Sequence, residues 1–319
     1  MATNWGRNWR TDQPSGTNAP VHLFWGDFAG DNVIHTLLAS NDPNTGRMML
    51  WRERKAVVRA MPSVGVRFPN HHAYGRATVQ EILGEHASGA REFQATTFDS
   101  TLFLNRGDHF EARPLPIEAQ FAPAFGVSVA DFDGDGNEDL FLAQNFFGVD
   151  AETSRHDAGT GLMLLGDGRG GFRALRPQES GIAAYGEQRA AAVADFDRDG
   201  RTDLVVTQNR GGTKLFHNAG GKTGLRVRLI GLKGNPDGIG AVLRLAESGR
   251  AGPAREVHAG SGYWSQDSCV QVMHVSEKPD EIRVRWPGTR KGSEFIYRLP
   301  LGAREVHLKP DGEIKVVTP

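Results

Sequence analysis

Asp131-Phe-Asp-Gly-Asp-Gly-Asn-Glu-Asp-Leu-Phe-Leu-Ala-Gln-Asn145 decides how this chain is read. Asp195-Phe-Asp-Arg-Asp-Gly-Arg-Thr-Asp-Leu-Val-Val-Thr-Gln-Asn209 repeats it 64 residues later, with nine of 15 positions identical. The pairs ahead of them, Val129-Ala130 and Val193-Ala194, match as well. Upstream, Asp27-Phe-Ala-Gly-Asp-Asn-Val-Ile-His-Thr-Leu-Leu-Ala-Ser-Asn41 is a worn third copy. Self-similarity at a long period marks a repeat architecture. Short apolar runs bounded by Gly, Asp or Asn flank the loops, among them residues 21–25, 126–130, 139–143 and 203–207. Their length is that of strands. A further strand and turn follow each copy, at 102–110, 162–172 and 214–218. The unit is strand, acidic loop, strand, strand, turn, strand, which is the order of a four-stranded propeller blade. The fold class expected is all-β, with three such units over 21–219. The first is stretched to 104 residues, from 27 to 131, by an insertion at about 45–95. There Ala56, Val57, Val58, Ala60 and Met61, then Val79, Ile82 and Leu83, recur at helical spacing. One or two short helices are expected, broken at Pro62 and Pro69.

The loops carry chemistry. Asp131, Asp133, Asp135 and Asp139 stand at positions 1, 3, 5 and 9, with Gly136 at 6; Asp195, Asp197, Asp199, Asp203 and Gly200 repeat the pattern. So many carboxylates in nine residues repel one another unless a cation sits among them. Hard oxygen ligands at odd positions with Gly at the sixth form the front of a calcium loop, and the carbonyl of Asn137 or Arg201 would add another oxygen. The glutamate that completes an EF-hand is missing, so the ninth-position aspartate is expected to close the shell. Zinc is disfavoured because neither loop holds a nitrogen or sulfur ligand. The competing account is plain turn chemistry, since Asp and Gly are ordinary turn residues. Two calcium sites are expected. The third copy, at 27–35, is degenerate, with Ala29, Asn32 and His35 at positions 3, 6 and 9.

Beyond Asn218 the repeat stops. Gly220-Gly221-Lys222-Thr223-Gly224 reads as a linker, and Arg/Val alternation from Leu225 predicts a smaller β domain over 222–319 with one wet strand face. Residues 1–20 form a polar segment with no apolar core, so no signal peptide is expected in the chain as given. The 319 residues hold 37 Lys+Arg against 38 Asp+Glu, which argues against bulk-charge attraction to nucleic acid. A single cysteine, Cys269, excludes an intramolecular disulfide and reads as a small buried side chain. No apolar run is long enough for a membrane span. With 40 Gly and 16 Pro, tight turns between short strands are expected throughout.

The repeats resemble FG-GAP/VCBS repeats of integrin-α-type propellers and bacterial surface proteins, on Phe125-Gly126 and the acidic loops. The C-terminal region resembles the ASPIC/UnbV domain, on Leu225-Arg-Val-Arg-Leu229, Ile239-Gly240-Ala241, Gly260-Ser-Gly-Tyr-Trp-Ser-Gln266 and Val284-Arg-Trp-Pro287. Together the resemblances span about 21–319, and the pairing is similar to the cartilage acidic protein 1 group and its bacterial relatives. Two features depart from that pattern. Val272-Met273-His274-Val275 lacks the glycines of the family's His-Phe-Gly-Leu-Gly-like stretch, and three units do not close a propeller of the usual seven blades. The resemblance implies a secreted, periplasmic or cell-surface protein. It leaves open a portion of a longer protein, another blade assembly, or a short form whose exposed strand edges self-associate.

Two functions fit. The first is a calcium-stabilised extracellular binding or adhesion module that presents propeller loops to a glycan or protein partner. The second is a polysaccharide-acting enzyme of the lyase or dehydratase type, with His71, His72 and Tyr74 of the insertion, and Tyr185, Glu187, Gln188 and Arg189, as its candidate groups. The bland account of the histidines is a solvated pair, and that of Glu187 and Arg189 an ion pair. Tyr263 and Trp264 are candidates for stacking on sugar rings, against a reading in which one of them packs inward. Arg283, Arg285, Arg290 and Lys291 form a basic strand face.

Overall fold

The computed structural model describes residues 1–8, 20–150, 153–247, 249–274, 279–289 and 293–317. Strands dominate, in several separate antiparallel or mixed sheets, and none of the described sheets closes into a barrel. The chain divides into two compact units, Trp9–Phe98 and Met1–Asn8 with Asp99–Pro319. Arg290 and Lys291 of the basic face, and most of the N-terminal polar segment, lie outside the described residues.

In the first unit, Val21–Gly26 and His35–Asn41 pair antiparallel around the worn acidic loop, from Val21 opposite Ser40 to Gly26 opposite His35. Met48–Leu50 extends the sheet on one side and Arg91–Ala95 on the other. The insertion is richer in helix than its spacing suggests. Four short helices, Arg54–Ala60, Pro62–Arg67, His71–Gly75 and Val79–Leu83, precede a 3₁₀ turn at Gly84–Gly89. Pro62 starts a helix where its missing N–H is harmless. Asn70 accepts the Ala73 amide at 2.9 Å, and Thr78 with Glu81 forms a capping box, so helices restart where a break was expected. They bury Val57, Met61, Val64, Tyr74, Val79, Ile82 and Leu83 against Phe28 of the acidic loop and Leu37 and Ala39 of the sheet.

The stretch at 102–110 was expected to finish this first copy, and it does not. Thr101–Asn105 pairs with Phe110–Pro114 as a separate two-stranded hairpin in the second unit. The turn at Arg106–His109 folds the chain straight back on itself, and Arg91–Ala95 already holds the free edge of Val21–Gly26.

The second copy has the anticipated strand order. Ala124–Ala130, Asp139–Gln144, Leu162–Gly166 and Phe172–Ala174 form one four-stranded antiparallel meander. The third copy gives three strands, Glu187–Ala194, Asp203–Asn209 and Gly211–Phe216. The leading strands of these two sheets approach closely: a Cβ on Gly126 would lie 2.9 Å from the Arg189 carbonyl oxygen. That explains a glycine in the middle of a strand. Phe132, Phe141, Met163, Ile182, Leu204 and Val206 are buried in a core shared by the two sheets.

The C-terminal strands form two facing sheets. One runs Gln271–Met273, Leu225–Leu229, Glu305–Leu308, Ile314–Val317, its central pair parallel; the other is centred on Val242–Glu247, Glu281–Arg285 and Phe295–Arg298. Val227, Leu229, Leu243, Leu245, Ile282, Val284, Trp286, Tyr297, Val306 and Leu308 fill the space between them. Trp286 donates to Tyr297 Oη at 3.0 Å, and Tyr297 donates to the Lys309 carbonyl at 2.5 Å, so both polar tips in this core are satisfied. Cys269 is half-buried at its margin, and burial pushes its thiol pKa up.

Candidate metal centre

Each acidic loop joins two paired strands, and the three loops share one backbone shape. Positions 4 and 6 have positive φ in every copy: Gly30 and Asn32, Gly134 and Gly136, Arg198 and Gly200. This winding turns successive amides inward onto the first aspartate. Asp131 Oδ1 accepts from Gly134 at 2.8 Å and Asp135 at 3.1 Å, and its Oδ2 accepts from Gly136 at 2.9 Å. Asp27 accepts from Gly30, Asp31 and Asn32 in the same offsets. Asp195 accepts from Gly200 at 2.9 Å. The ninth-position aspartates tie the loop to the strands that follow. Asp139 accepts from Phe132 and Gly166, both at 2.8 Å; Asp203 accepts from Phe196 at 3.1 Å and Asn218 at 2.7 Å.

The carboxylates at positions one, three and nine converge. Asp131, Asp133 and Asp139 bring ligand oxygens within 4.8 Å of one another, and so do Asp195, Asp197 and Asp203. Burial, with Asp133 and Asp131 adding to it against the two amides, raises the Asp139 pKa to about 7. Burial likewise raises Asp133, helped by Asp135, and raises Asp203, helped by Asp197. For Asp131, burial is outweighed by His274, the Gly136 amide and Arg255, which hold its carboxyl below the usual range. Carboxylates crowded and buried in this way favour a divalent cation among them.

The fifth-position aspartates turn elsewhere. Asp135 accepts from the Asn137 amide at 2.7 Å and its side chain at 2.9 Å. Asp199 pairs with Arg201 at 2.5 Å, and Arg201 also donates to the Gly221 carbonyl. Asn137 and Arg201 thus serve their fifth-position neighbours through amide and side chain. In the worn copy, Asp27, Asp31 and His35 gather within 4.8 Å.

Three partners lie far from the loops in sequence. His217 Nε2 stands 3.1 Å from Asp197 and 3.5 Å from Asp199. His274 Nδ1 is 3.1 Å from Asp131 Oδ2, while its Nε2 donates to the Lys222 carbonyl at 2.6 Å. Arg226 binds Asp195 Oδ2 through Nη1 and Glu305 through Nε. No local spacing signals them. The stretch read as a linker is pinned down too: Lys222 donates to the Asp133 carbonyl at 3.0 Å and Gly224 to the Gly200 carbonyl at 2.7 Å.

The other candidate residues are placed as follows. His71 and His72 are exposed on their short helix, and Tyr74 is buried, donating to the Arg52 carbonyl at 2.7 Å, with its pKa raised to about 12 by burial. Glu187 is buried; it accepts from the Phe147 amide, the Asn209 side chain and Arg189. Arg189 stacks over Phe125 at 3.9 Å and lies 5.4 Å from the Phe146 ring centre. Tyr263 meets Phe125 edge-on at 6.3 Å and is 44% exposed; Trp264 is 91% exposed at φ +47°. Neither aromatic packs inward. Ser261 and Ser265 instead close the turn, Ser261 N–H donating to the Ser265 carbonyl.

The family model described as ASPIC and UnbV matches residues 231–311, and those residues therefore carry an ASPIC/UnbV domain. No curated protein matches the chain. Among the described residues no helix is long and apolar enough to cross a membrane.

Proposed function

We propose that this chain is a calcium-stabilised extracellular binding module, built of FG-GAP/VCBS-type propeller blades followed by an ASPIC/UnbV domain, and that its partner is a glycan. The observation that carries the calcium reading is the convergence of the first, third and ninth carboxylates in two loops of one backbone shape. The donor set fits: all oxygens, several buried, with Asp195 Oδ1 buried and accepting no hydrogen bond. Asp131, Asp133 and Asp139 would hold one ion, and Asp195, Asp197 and Asp203 a second. Bound calcium would supply charge compensation and pin each loop to its sheet.

The glycan reading rests on the Gly260–Gln266 loop. A tryptophan almost fully in water, in a left-handed backbone conformation that tryptophan rarely adopts, is strain of the kind found at binding sites. Beside it Tyr263 meets Phe125 edge-on, and Arg189 stacks over Phe125. Flat aromatic faces suit sugar rings. The polysaccharide-cleaving alternative draws no support from the placements of Tyr74, Glu187 and Arg189, all engaged by neighbours. The shape of the family points to secretion or the cell surface.

Saturating calcium should raise the melting temperature by about 5 °C, and a chelator should reverse the gain. An unchanged melting temperature in both conditions removes the calcium claim. For the glycan, an array of neutral and acidic oligosaccharides probed with wild type and Trp264→Ala should show binding that the variant loses. Equal binding by the two proteins assigns recognition elsewhere.

A further inference from the structure

We propose that Arg226 is a built-in rival of the metal ion at the 195–203 loop, so that the two acidic loops differ in calcium affinity and the weaker one is coupled to the C-terminal sandwich. The proposal rests on the calcium reading above and adds a regulator to it. Arg226 stands on Leu225–Leu229, the strand with which the sandwich begins. Its Nη1 donates to Asp195 Oδ2 and, at 3.3 Å, to the Asp195 carbonyl oxygen. Its Nε donates to Glu305 Oε2 at 2.8 Å. The parallel register sets Arg226 directly opposite Glu305, and His307 Nε2 holds the other Glu305 oxygen at 3.0 Å. Arg226 is therefore anchored from the sandwich side and reaches the first ligand of the loop.

Burial makes the contact consequential. The side chain of Asp195 is 1% exposed and that of Arg226 9%, so neither charge can turn to water without moving the strand. Asp195 Oδ2 is shared between the guanidinium and the Gly200 amide, and Oδ1 is left to a metal. A divalent ion held by Oδ1, Asp197 and Asp203 would lie beside a fixed positive charge in a poorly screened site. Binding there must either tolerate that repulsion or displace Arg226, and displacement loosens the sandwich's hold on the loop. By linkage, whatever tightens the hold weakens calcium.

The 131–139 loop is wired differently. The sandwich arginine nearest to it, Arg255, binds Glu138, at 2.8 Å from Nε and 3.2 Å from Nη2. Glu138 stands outside the converging set, so the guanidinium acts on Asp131 only at longer range and occupies no oxygen of Asp131, Asp133 or Asp139. His274 faces Asp131, without the hydrogen-bond geometry that Arg226 has at Asp195.

The experiment is calorimetric calcium titration of the full chain as wild type, Arg226→Met, Arg226→Lys and Asp131→Asn, each checked for folding by circular dichroism. Wild type should show one tight site, lost in Asp131→Asn, and a second weaker by about tenfold or more. Arg226→Met should strengthen the second site by about that factor, and Arg226→Lys should leave it weak. Two equal sites in wild type, or an unchanged second site in Arg226→Met, overturns the proposal while leaving the calcium reading intact. No calcium uptake by any protein overturns both. If Arg226→Met does not fold, hydrogen exchange on wild type decides. Saturating calcium should speed exchange across Leu225–Leu229 while slowing it at 195–203, and unchanged exchange in the strand rejects the rivalry.

Discussion

The 131–139 and 195–203 loops are close in sequence and in backbone shape, yet they compensate their charge by different means. The first holds its leading aspartate with three backbone amides and a facing imidazole, His274, and burial raises the pKa of its ninth aspartate to about 7. The second draws in side chains: Arg226 on Asp195, His217 on Asp197 and Asp199, and Arg201 on Asp199. The difference shows that a repeated motif repeats geometry more faithfully than electrostatics. Geometry comes from the loop's own glycines and aspartates. Charge balance comes from whatever the rest of the fold brings alongside.

The comparison can be strained most by removing the leading aspartates. Asp195→Ala should destabilise by about 3–4 kcal/mol, because it leaves the nearly buried Arg226 with Glu305 as its one carboxylate partner. Asp131→Ala should cost about 2–3 kcal/mol through the unsatisfied Gly134 and Gly136 amides, since the Asp135 amide keeps Asp133. Denaturation with and without calcium separates the two: the Asp131→Ala deficit should grow when calcium is added, and the Asp195→Ala deficit should stay nearly constant. Equal growth would mean that the loops bind alike.

A smaller effect lies at position four. A Cβ on Gly134, at φ +74°, would lie 2.8 Å from the Lys222 Cβ, so Gly134→Ala should lose about 1–2 kcal/mol. Arg198 holds the same left-handed conformation at φ +64° as a non-glycine, and Arg198→Gly should gain up to about 1 kcal/mol. Urea midpoints that move in the same direction for both variants would show that position four is not equivalent in the two loops.

The smallest effect concerns how the sheet of the third copy is held. Asp267 accepts from Val193 at 2.9 Å, and burial raises its pKa, Val193 and Ser261 opposing. The folded state thus binds this proton more tightly than the unfolded chain, so stability falls as pH rises from about 4 to the raised folded value, then levels. Asp267→Asn should flatten that slope. A slope unchanged in the variant would assign the pH dependence to another group.

Much of this was legible in the sequence. Nine shared positions placed both loops, the strands beside them and the meander of the second copy. The β character of the C-terminal region followed from Arg/Val alternation. The number of helices was not legible, because caps at Asn70 and Thr78 restart helices too short to show a period. Nor was the partner of residues 101–105, since strand pairing depends on which edge is already taken. The loop partners Arg226 and His274 were hidden for a simpler reason. They lie 31 and 143 residues from the aspartates they face, and spacing carries no information at that range.

The tether at residues 220–224 has a mechanical consequence. Its amides are laced to Asp133 and Gly200, one carbonyl in each acidic loop. A tensile load on the sandwich therefore enters the repeat sheets at the two acidic loops as well as at Val193. An ion that stiffened those loops would raise the force needed to pull the tether away from them.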